Sequence, residues 1–412
     1  MKRLKKILSS SFFQGAVCGI VFTLCVLSVL RFFGIRILPA GNAATQAYTK
    51  NKYIEQCIDS YYQGDYTDED LANGAAKGMV AALGDKYSAY YTQSEYDEVM
   101  KGIDGSYVGI GVTLKQLENG DIQVSELTED GPAVKAGMKA GDIFKEVNGT
   151  DITGKTLNDV VSMIKVDDND GKTVEIKVLR TNDDNQQETV TLQLVCKKIN
   201  VVSVQDKQIG KTGYIKVTEF DNETDDQFSK AVDKYDNDEI KGLVIDLRDN
   251  GGGSLDSAIN MLNRLLPKGD LITEKSKKEG DKTYHSDDKQ SYQKSIVVLI
   301  NGNSASASEV FAGTLKTRGA ATLIGTKSFG KGIVQTVFSL KNACGGGIKL
   351  TTAKYYLPNG ECIHKKGINP DETIEYEKKD TDTEKEDTQL QHALQIIEPV
   401  SYTHLRAHET LS

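Results

Sequence analysis

The chain of 412 residues has no cysteine framework, no metal-ligand motif and no basic stripe. Its six cysteines are Cys18, Cys25, Cys57, Cys196, Cys344 and Cys362, with no CxxC pair and no Cys/His cluster at zinc spacing. That excludes the common zinc modules and favours free or buried thiols. Cys344 and Cys362 would bond only if the fold brought them together. The five histidines, His285, His364, His392, His404 and His408, fall in no HExxH pattern, so no metal is expected. The net charge of −9 comes from 50 basic and 59 acidic residues. No basic run is interleaved with aromatics, so nucleic acid is not an expected partner, and the acidic excess serves solubility.

What is present suits two or three domains: 38% hydrophobic and 26% charged residues over this length. Lys2, Arg3, Lys5 and Lys6 precede a run of 19 uncharged residues, Phe12 to Leu30. Such a run is long enough for a membrane-crossing helix, with the basic end in the cytoplasm. Residues 1–39 are therefore expected to form a cytoplasmic tip and a transmembrane signal anchor. The rest would lie on the extracytoplasmic side of the cell membrane, as a single-pass protein. The alternative is a cleaved signal, with a small-residue site at Ala40-Gly41-Asn42-Ala43-Ala44.

Residues 40–104 read as a helical region. Tyr53, Ile54, Cys57, Ile58 and Tyr61 recur at helical spacing, as do Leu71, Ala75, Met79, Val80 and Leu83. Asp85 to Tyr91 reads as a turn with exposed aromatics, for which a structural role, as a lid or in packing, and a functional one stand equal. Residues 105–197 change to strand patterns with a Gly131-Pro132 turn, an Ala136-Gly137-Met138-Lys139-Ala140-Gly141-Asp142 turn and an Asn148-Gly149 hairpin signal. Thr156 and Asp159 mark a helix start, followed by Leu157, Val160, Val161 and Ile164 on one face. In order and motif this segment resembles a PDZ domain. The resemblance implies that the loop at Val108, Gly109, Ile110 and Gly111 holds a free carboxylate on backbone N–H groups, while the bound peptide adds a strand to the sheet edge.

Residues 198–376 read as an α/β core. Gly242 to Leu247 and Ile296 to Ile300 are continuous apolar runs, the pattern of strands buried on both faces. Thr224 to Gln227 reads as a capping box opening a helix through Phe228, Ala231, Val232 and Tyr235. Three loops follow strand patterns. Asp246-Leu247-Arg248-Asp249-Asn250-Gly251-Gly252-Gly253 could aim N–H groups at an oxyanion, and no GxxxxGK[ST] phosphate loop is present. Asn301 to Glu309 carries Ser304, Ser306 and Ser308 on a strand-to-helix turn, a setting that exposes a nucleophile or supplies an ordinary N-cap. Lys331 lies between Gly330 and Gly332. A lysine serves as a base only where burial or nearby positive charge lowers its pKa; otherwise it is a surface lysine.

Taken together, the Asp246–Gly253 loop, Ser304-Ala305-Ser306-Ala307-Ser308-Glu309, Phe329-Gly330-Lys331-Gly332 and Leu350-Thr351-Thr352-Ala353-Lys354-Tyr355-Tyr356 occur in the order found in the carboxyl-terminal processing peptidases. The chain resembles that family of tail-specific serine proteases from about residue 50 to 397. The resemblance implies a multidomain α/β (α+β) fold with a PDZ domain and a crotonase- or Clp-protease-like catalytic core. It implies Ser306 as nucleophile, Lys331, 25 residues later, as general base, and Gln335 as the residue orienting the lysine. It places oxyanion donors on the backbone N–H groups of Gly252 and Ala307, and puts Glu309 beside the site without a defined role. It calls for no cofactor and for protein or peptide substrates with free, apolar C-termini. A second copy of the chain stays open as a partner. Lys86 stands where the family often has proline.

Residues 377–399 read as a charged linker and a last amphipathic helix. Residues 400–412 resemble translated sequencing-adaptor read-through, which removes His404 and His408 from the catalytic candidates. Three rival readings stand beside the protease: a membrane-anchored PDZ scaffold without catalysis, an acyl-CoA hydratase-like enzyme, and a Ser-His-Asp protease using His285 or His364.

Overall fold

The computed structural model describes Gly19, Phe22, Thr23, Cys25, Val26 and residues 43–164, 171–182, 184–287, 289, 291–342, 344–376 and 386–398. The expected anchor, Phe12 to Leu30, lies outside the described residues except for those first five, which are helical. Among the described residues no helix is long and apolar enough to cross a membrane. Helix α1 (Ala43–Tyr61) has 19 residues, close to a spanning length, but Lys50, Lys52, Glu55 and Asp59 interrupt it. The expectations of a transmembrane helix in the fold, a signal anchor, a membrane partner and a single-pass extracytoplasmic placement are corrected accordingly. The fold described is α+β and multidomain without such an element. The tail at 400–412 and the linker at 377–385 also lie outside the described residues.

The chain divides into units at residues 1–82 and 83–412. In the first, α1 is followed by α2 (Asp68–Ala81), whose N-terminus is fixed by a Thr67–Asp70 capping box and an acidic first turn. Tyr53, Ile54, Tyr61 and Met79, expected on apolar faces, are exposed. Two helices alone cannot bury two apolar stripes; only Val80 of α2 is fully covered.

The second unit opens with β1 (Ala89–Tyr91) and α3 (Gln93–Asp104). The PDZ-like segment follows: β2 (Ser106–Gly109), β3 (Val112–Gln116), β4 (Ile122–Leu127), α4 (Pro132–Lys135), β5 (Ile143–Val147), β6 (Thr150–Asp151), α5 (Leu157–Ile164), β7 (Thr173–Thr181), β8 (Gln187–Val195) and β9 (Lys197–Asn200). Its main sheet runs β3-β4-β5-β7-β8, and β2 pairs with β9 as a separate ribbon. Asn148 and Gly149, both at positive φ, form the tight β5–β6 hairpin. Thr156 and Asp159 cap α5 reciprocally. Ile122, Val124, Phe144, Val147, Val160 and Ile176 are among the residues of this body's own core.

The remaining elements are β10 (Val204–Ile209), β11 (Thr212–Val217), α6 (Thr224–Lys234), β12 (Gly242–Asp246), α7 (Leu255–Leu265), β13 (Gly269–Ser276), β14 (Gly280–Ser286), β15 (Ser295–Ile300), α8 (Ala307–Thr317), β16 (Thr322–Gly325), β17 (Ile333–Ser339), β18 (Gly347–Tyr356), β19 (Glu372–Thr373) and α9 (Thr388–Ile397). The central sheet runs β10-β11-β12-β15-β16-β19, parallel except for β10. Strand alternation divides its apolar runs between two cores. Leu243, Ile245, Ile296, Val298 and Ile300 pack with α6, α7 and α8, around the contacts of Phe311 with Phe220 and Phe228. Val244, Val297 and Leu299 face Leu390, Ala393 and Ile397 of α9. A second sheet joins β1, β18, β13 and β14, with β17 on β18. The capping box expected at Thr224 does not form: α6 has Glu223 at its N-cap with no side-chain cap bond. Thr224 instead accepts the Asp221 N–H, and Gln227 accepts the N–H groups of Ser203 and Val204.

Candidate active site

The serine turn joins β15 to α8. Its three serines are separated by what their hydroxyls touch. Ser304 Oγ donates to the Leu247 carbonyl at 2.8 Å, and Ser308 Oγ donates to the Asn250 carbonyl at 2.9 Å. Both are fully buried and tie the turn to the glycine loop after β12. Ser306, at the N-cap of α8, has φ 57° and ψ −114°, a backbone conformation that costs a non-glycine residue about 1–3 kcal/mol. It is 6% exposed, and its side chain lies near the buried phenol of Tyr355 on β18.

Glu309, one turn into α8, is 1% exposed and holds four donors. Its Oε2 accepts the N–H of Ser306 at 3.0 Å and that of Lys331 at 2.7 Å. Its Oε1 accepts Ser328 Oγ at 2.5 Å and the Gly330 N–H at 2.7 Å. Charge-assisted bonds of this kind are about twice as strong as neutral ones. One buried carboxylate thus gathers the backbones of Ser306 and Lys331. Gly332 lets the lysine loop close on the 363–367 turn: a Cβ there would lie 2.4 Å from the backbone nitrogen of His364.

Lys331 is half-buried. Desolvation first, and repulsion from Lys349 second, pull its ammonium below the ordinary lysine range, against the opposing pull of Glu309. The Tyr87 ring centroid lies 5.3 Å from its Nζ. Gln335 lies beyond a bulge in β17, and its Nε2 donates to the Ile333 carbonyl at 3.3 Å rather than to the lysine loop.

The glycine loop is held by Asn250, fully buried, whose Nδ2 donates to the Val217 carbonyl. Gly252, at φ 98°, lies so close to the serine turn that a Cβ would come within 2.8 Å of Ser306 Cβ and 2.9 Å of Ala307 N. Its N–H donates to Asn250 Oδ1 at 2.8 Å. The Ala307 N–H belongs to the first turn of α8, where no intrahelical acceptor exists. Arg248, from the same loop, points elsewhere: it pairs with Asp246 and Asp387 and so ties α9 to the core.

His285 pairs with Asp270 at the surface. His364 lies beside the lysine loop with Nδ1 buried and, among the described residues, without a hydrogen-bond partner, and burial pushes its imidazole below the usual histidine range. No hydrogen bond among the described residues joins either ring to Ser306. Cys344 and Cys362 are free thiols, and among the described residues no group of His, Cys, Asp or Glu is placed to hold a metal.

In the PDZ-like body, Gly109, Ile110 and Gly111, with Val112 and Leu114 of β3 and Leu157, Val161 and Ile164 of α5, line a cleft of about 170 Å³. Val108 packs against the body's core instead. Strand β3 is at the sheet edge, so one side is open to an added strand. Sequence reading missed Tyr355, Ser328, Asn250 and the contact of Tyr87. Tyr355 and Asn250 stood within quoted motifs, but nothing local marks their partners.

A buried serine corner joined to an open peptide groove is suited to acyl transfer on polypeptide chains. The chain belongs to peptidase family S41, whose model matches residues 211–374, and carries a PDZ domain matched over residues 108–194. Its relatives narrow this to the CtpA-like, tail-specific serine proteases with a PDZ domain, endopeptidases that act on C-terminal peptide substrates. A probable CtpA-like serine protease of Staphylococcus aureus (strain MRSA252) is 34% identical over 368 residues, 88% of this chain and 72% of the relative. The counterpart in Staphylococcus epidermidis is 34% identical over 363 residues, 87% and 72% of the two chains. Among solved structures, the photosystem II D1 C-terminal processing protease is 29% identical, covering 78% of this chain and 86% of its own, with a TM-score of 0.46.

Proposed function

We propose that Ser306 is the nucleophile and Lys331 the general base of this protease, with residues 105–197 capturing the substrate C-terminus for the core at 198–376. The neutral Lys331 amine takes the Ser306 hydroxyl proton as Oγ attacks the scissile carbonyl. The resulting oxyanion is held by the Ala307 N–H and by the Gly252 N–H, which exchanges Asn250 Oδ1 for the substrate oxygen. Lys331 returns the proton to the departing amine nitrogen as the C–N bond breaks. Water, deprotonated by the same lysine, then releases the acyl group from Ser306. Gln335 orients Lys331 through Oε1, since its Nε2 is engaged by Ile333. The loop at Gly109, Ile110 and Gly111 receives the terminal carboxylate while β3 pairs with the peptide, and Val108 supports that loop from behind.

The observation that carries the reading is the Glu309 carboxylate. It draws the N–H groups of Ser306 and Lys331 onto one oxygen, while Ser304 and Ser308 spend their hydroxyls on backbone carbonyls. Intact-mass analysis of products from an unstructured substrate with an apolar C-terminus tests it. Ser306→Ala and Lys331→Ala are expected to lose cleavage by more than about a thousandfold; full activity in both sinks the mechanism.

A further inference from the structure

The chemistry above leaves one well-anchored segment beside the base without a part, Asp85 to Tyr91. Its anchors all reach β18. The Asp85 carboxylate accepts Ser88 Oγ at 2.7 Å and Thr351 Oγ1 at 2.6 Å, and Ser88 Oγ in turn accepts the Thr351 N–H at 3.2 Å. Strand β1 pairs Ala89 with Lys349, Tyr90 with Ile348 and Tyr91 with Gly347. The two hydroxyls hold the Asp85 carboxyl below the usual carboxylate range, so the anchor stays ionised at neutral pH. From this base the segment places two rings on two lysines. Tyr87 lies 5.3 Å from Lys331 Nζ and Tyr91 lies 5.4 Å from Lys349 Nζ, ring centroid to nitrogen.

We propose that residues 85–91 form a strap that roofs the general base, with Tyr87 as a positioning residue that shields Lys331 from water. The inference rests on the assignment of Lys331 as the base. A lysine between two glycines would ordinarily stand in solvent; this one is half-buried. The charged groups that bear on it are Lys349 of β18, which disfavours its protonation, and Glu309 of α8, which favours it. On the strap side, Lys86 Nζ lies 4.8 Å from the Tyr87 ring, and the Asp85 carboxylate and His364 interact at the strap's edge. A tyrosine face attracts an ammonium and so favours the charged lysine, whereas excluding water favours the neutral one. Burial is the largest influence on Lys331 and acts downward, the direction in which a ring that excludes water works.

The test uses the full chain with lysine labelled at 13Cε in a Ser306→Ala background, the Lys331 signal being assigned by its loss in Lys331→Met. Tyr87→Ala is expected to raise the Lys331 titration midpoint by about one pH unit. Asp85→Ala, which frees the strap, is expected to move it in the same direction, and Tyr87→Phe to restore it. In the enzyme with Ser306 intact, the acidic limb of kcat/KM should move with the resonance. A midpoint unmoved in both Tyr87→Ala and Asp85→Ala overturns the strap. Full activity in Lys331→Ala overturns the base assignment instead, and is read separately from the resonance.

Discussion

The serine corner and the PDZ groove each rest on a glycine loop that follows a strand, yet they spend their backbone groups in opposite ways. In the corner nearly every polar group is engaged. Ser304 and Ser308 bind carbonyls of the loop after β12, Asn250 bridges that loop to Val217, and Glu309 holds four donors. In the groove, β3 is left as an edge and the lining is apolar apart from glycine and Tyr107. Bond-making needs atoms held to fractions of an ångström before substrate arrives, which a saturated hydrogen-bond network supplies. Capture of varied peptide ends needs unpaired backbone and a yielding apolar wall. The same residue type, glycine after a strand, packs against the serine turn at Gly252 and lines the cleft at Gly109 and Gly111.

That contrast is open to attack from both sides. The largest effect is expected from Glu309→Ala, which strands buried donors. Chemical denaturation should show a loss of about 3 kcal/mol and steady-state kinetics a fall in kcat beyond about a hundredfold. Affinity for a fluorescent C-terminal peptide should stay the same, and loss of binding as well would join the two regions. Next, Val161→Asp puts a charge on the groove wall and should raise KM by about ten- to a hundredfold, with kcat for a short peptide preserved. Ser304→Ala removes one buried bridge and should cost about 1–2 kcal/mol of stability while retaining cleavage; inactivity matching Ser306→Ala would erase the distinction between the serines. The smallest effect concerns pH. Folding lowers the Lys331 pKa, so between that value and about 10.4 the unfolded chain binds a proton that the folded one lacks, and stability rises with pH across the window. Lys331→Met should flatten that rise in denaturation midpoints measured from neutral to alkaline pH.

Much of the frame was legible because it depends on local periodicity. The runs at 242–247 and 296–300 read as strands buried on both faces, and alternation divides them between the α6–α8 core and α9. Asn148-Gly149 turned as its residue types require. The misreadings share a cause. The Thr224 box was right in spelling, but Asp221, Ser203 and Val204 claimed its side chains first. At Gly252, which the family motif offers as an oxyanion donor, the fold adds a partner that the motif does not spell out: its N–H donates to Asn250 Oδ1. The apolar run at 12–30 suggested an anchor by its length, its lack of charge and its basic flank, and the described residues contain no spanning helix.

The amino-acid sequence alone determined the order of modules, the family, and the positions of the serine turn, the lysine loop and the glycine loop, because motif and spacing are properties of the chain. It left Glu309 beside the site without a role and Asp85–Tyr91 as a turn of undecided purpose. Only the tertiary structure decided that Glu309 joins Ser306 to a loop 22 residues away, and that Asp85 reaches Thr351 across 266 residues to set Tyr87 over Lys331. A carboxylate or a ring acts through whichever donor or cation the fold places within a few ångströms. Separation along the chain carries no information about that neighbour.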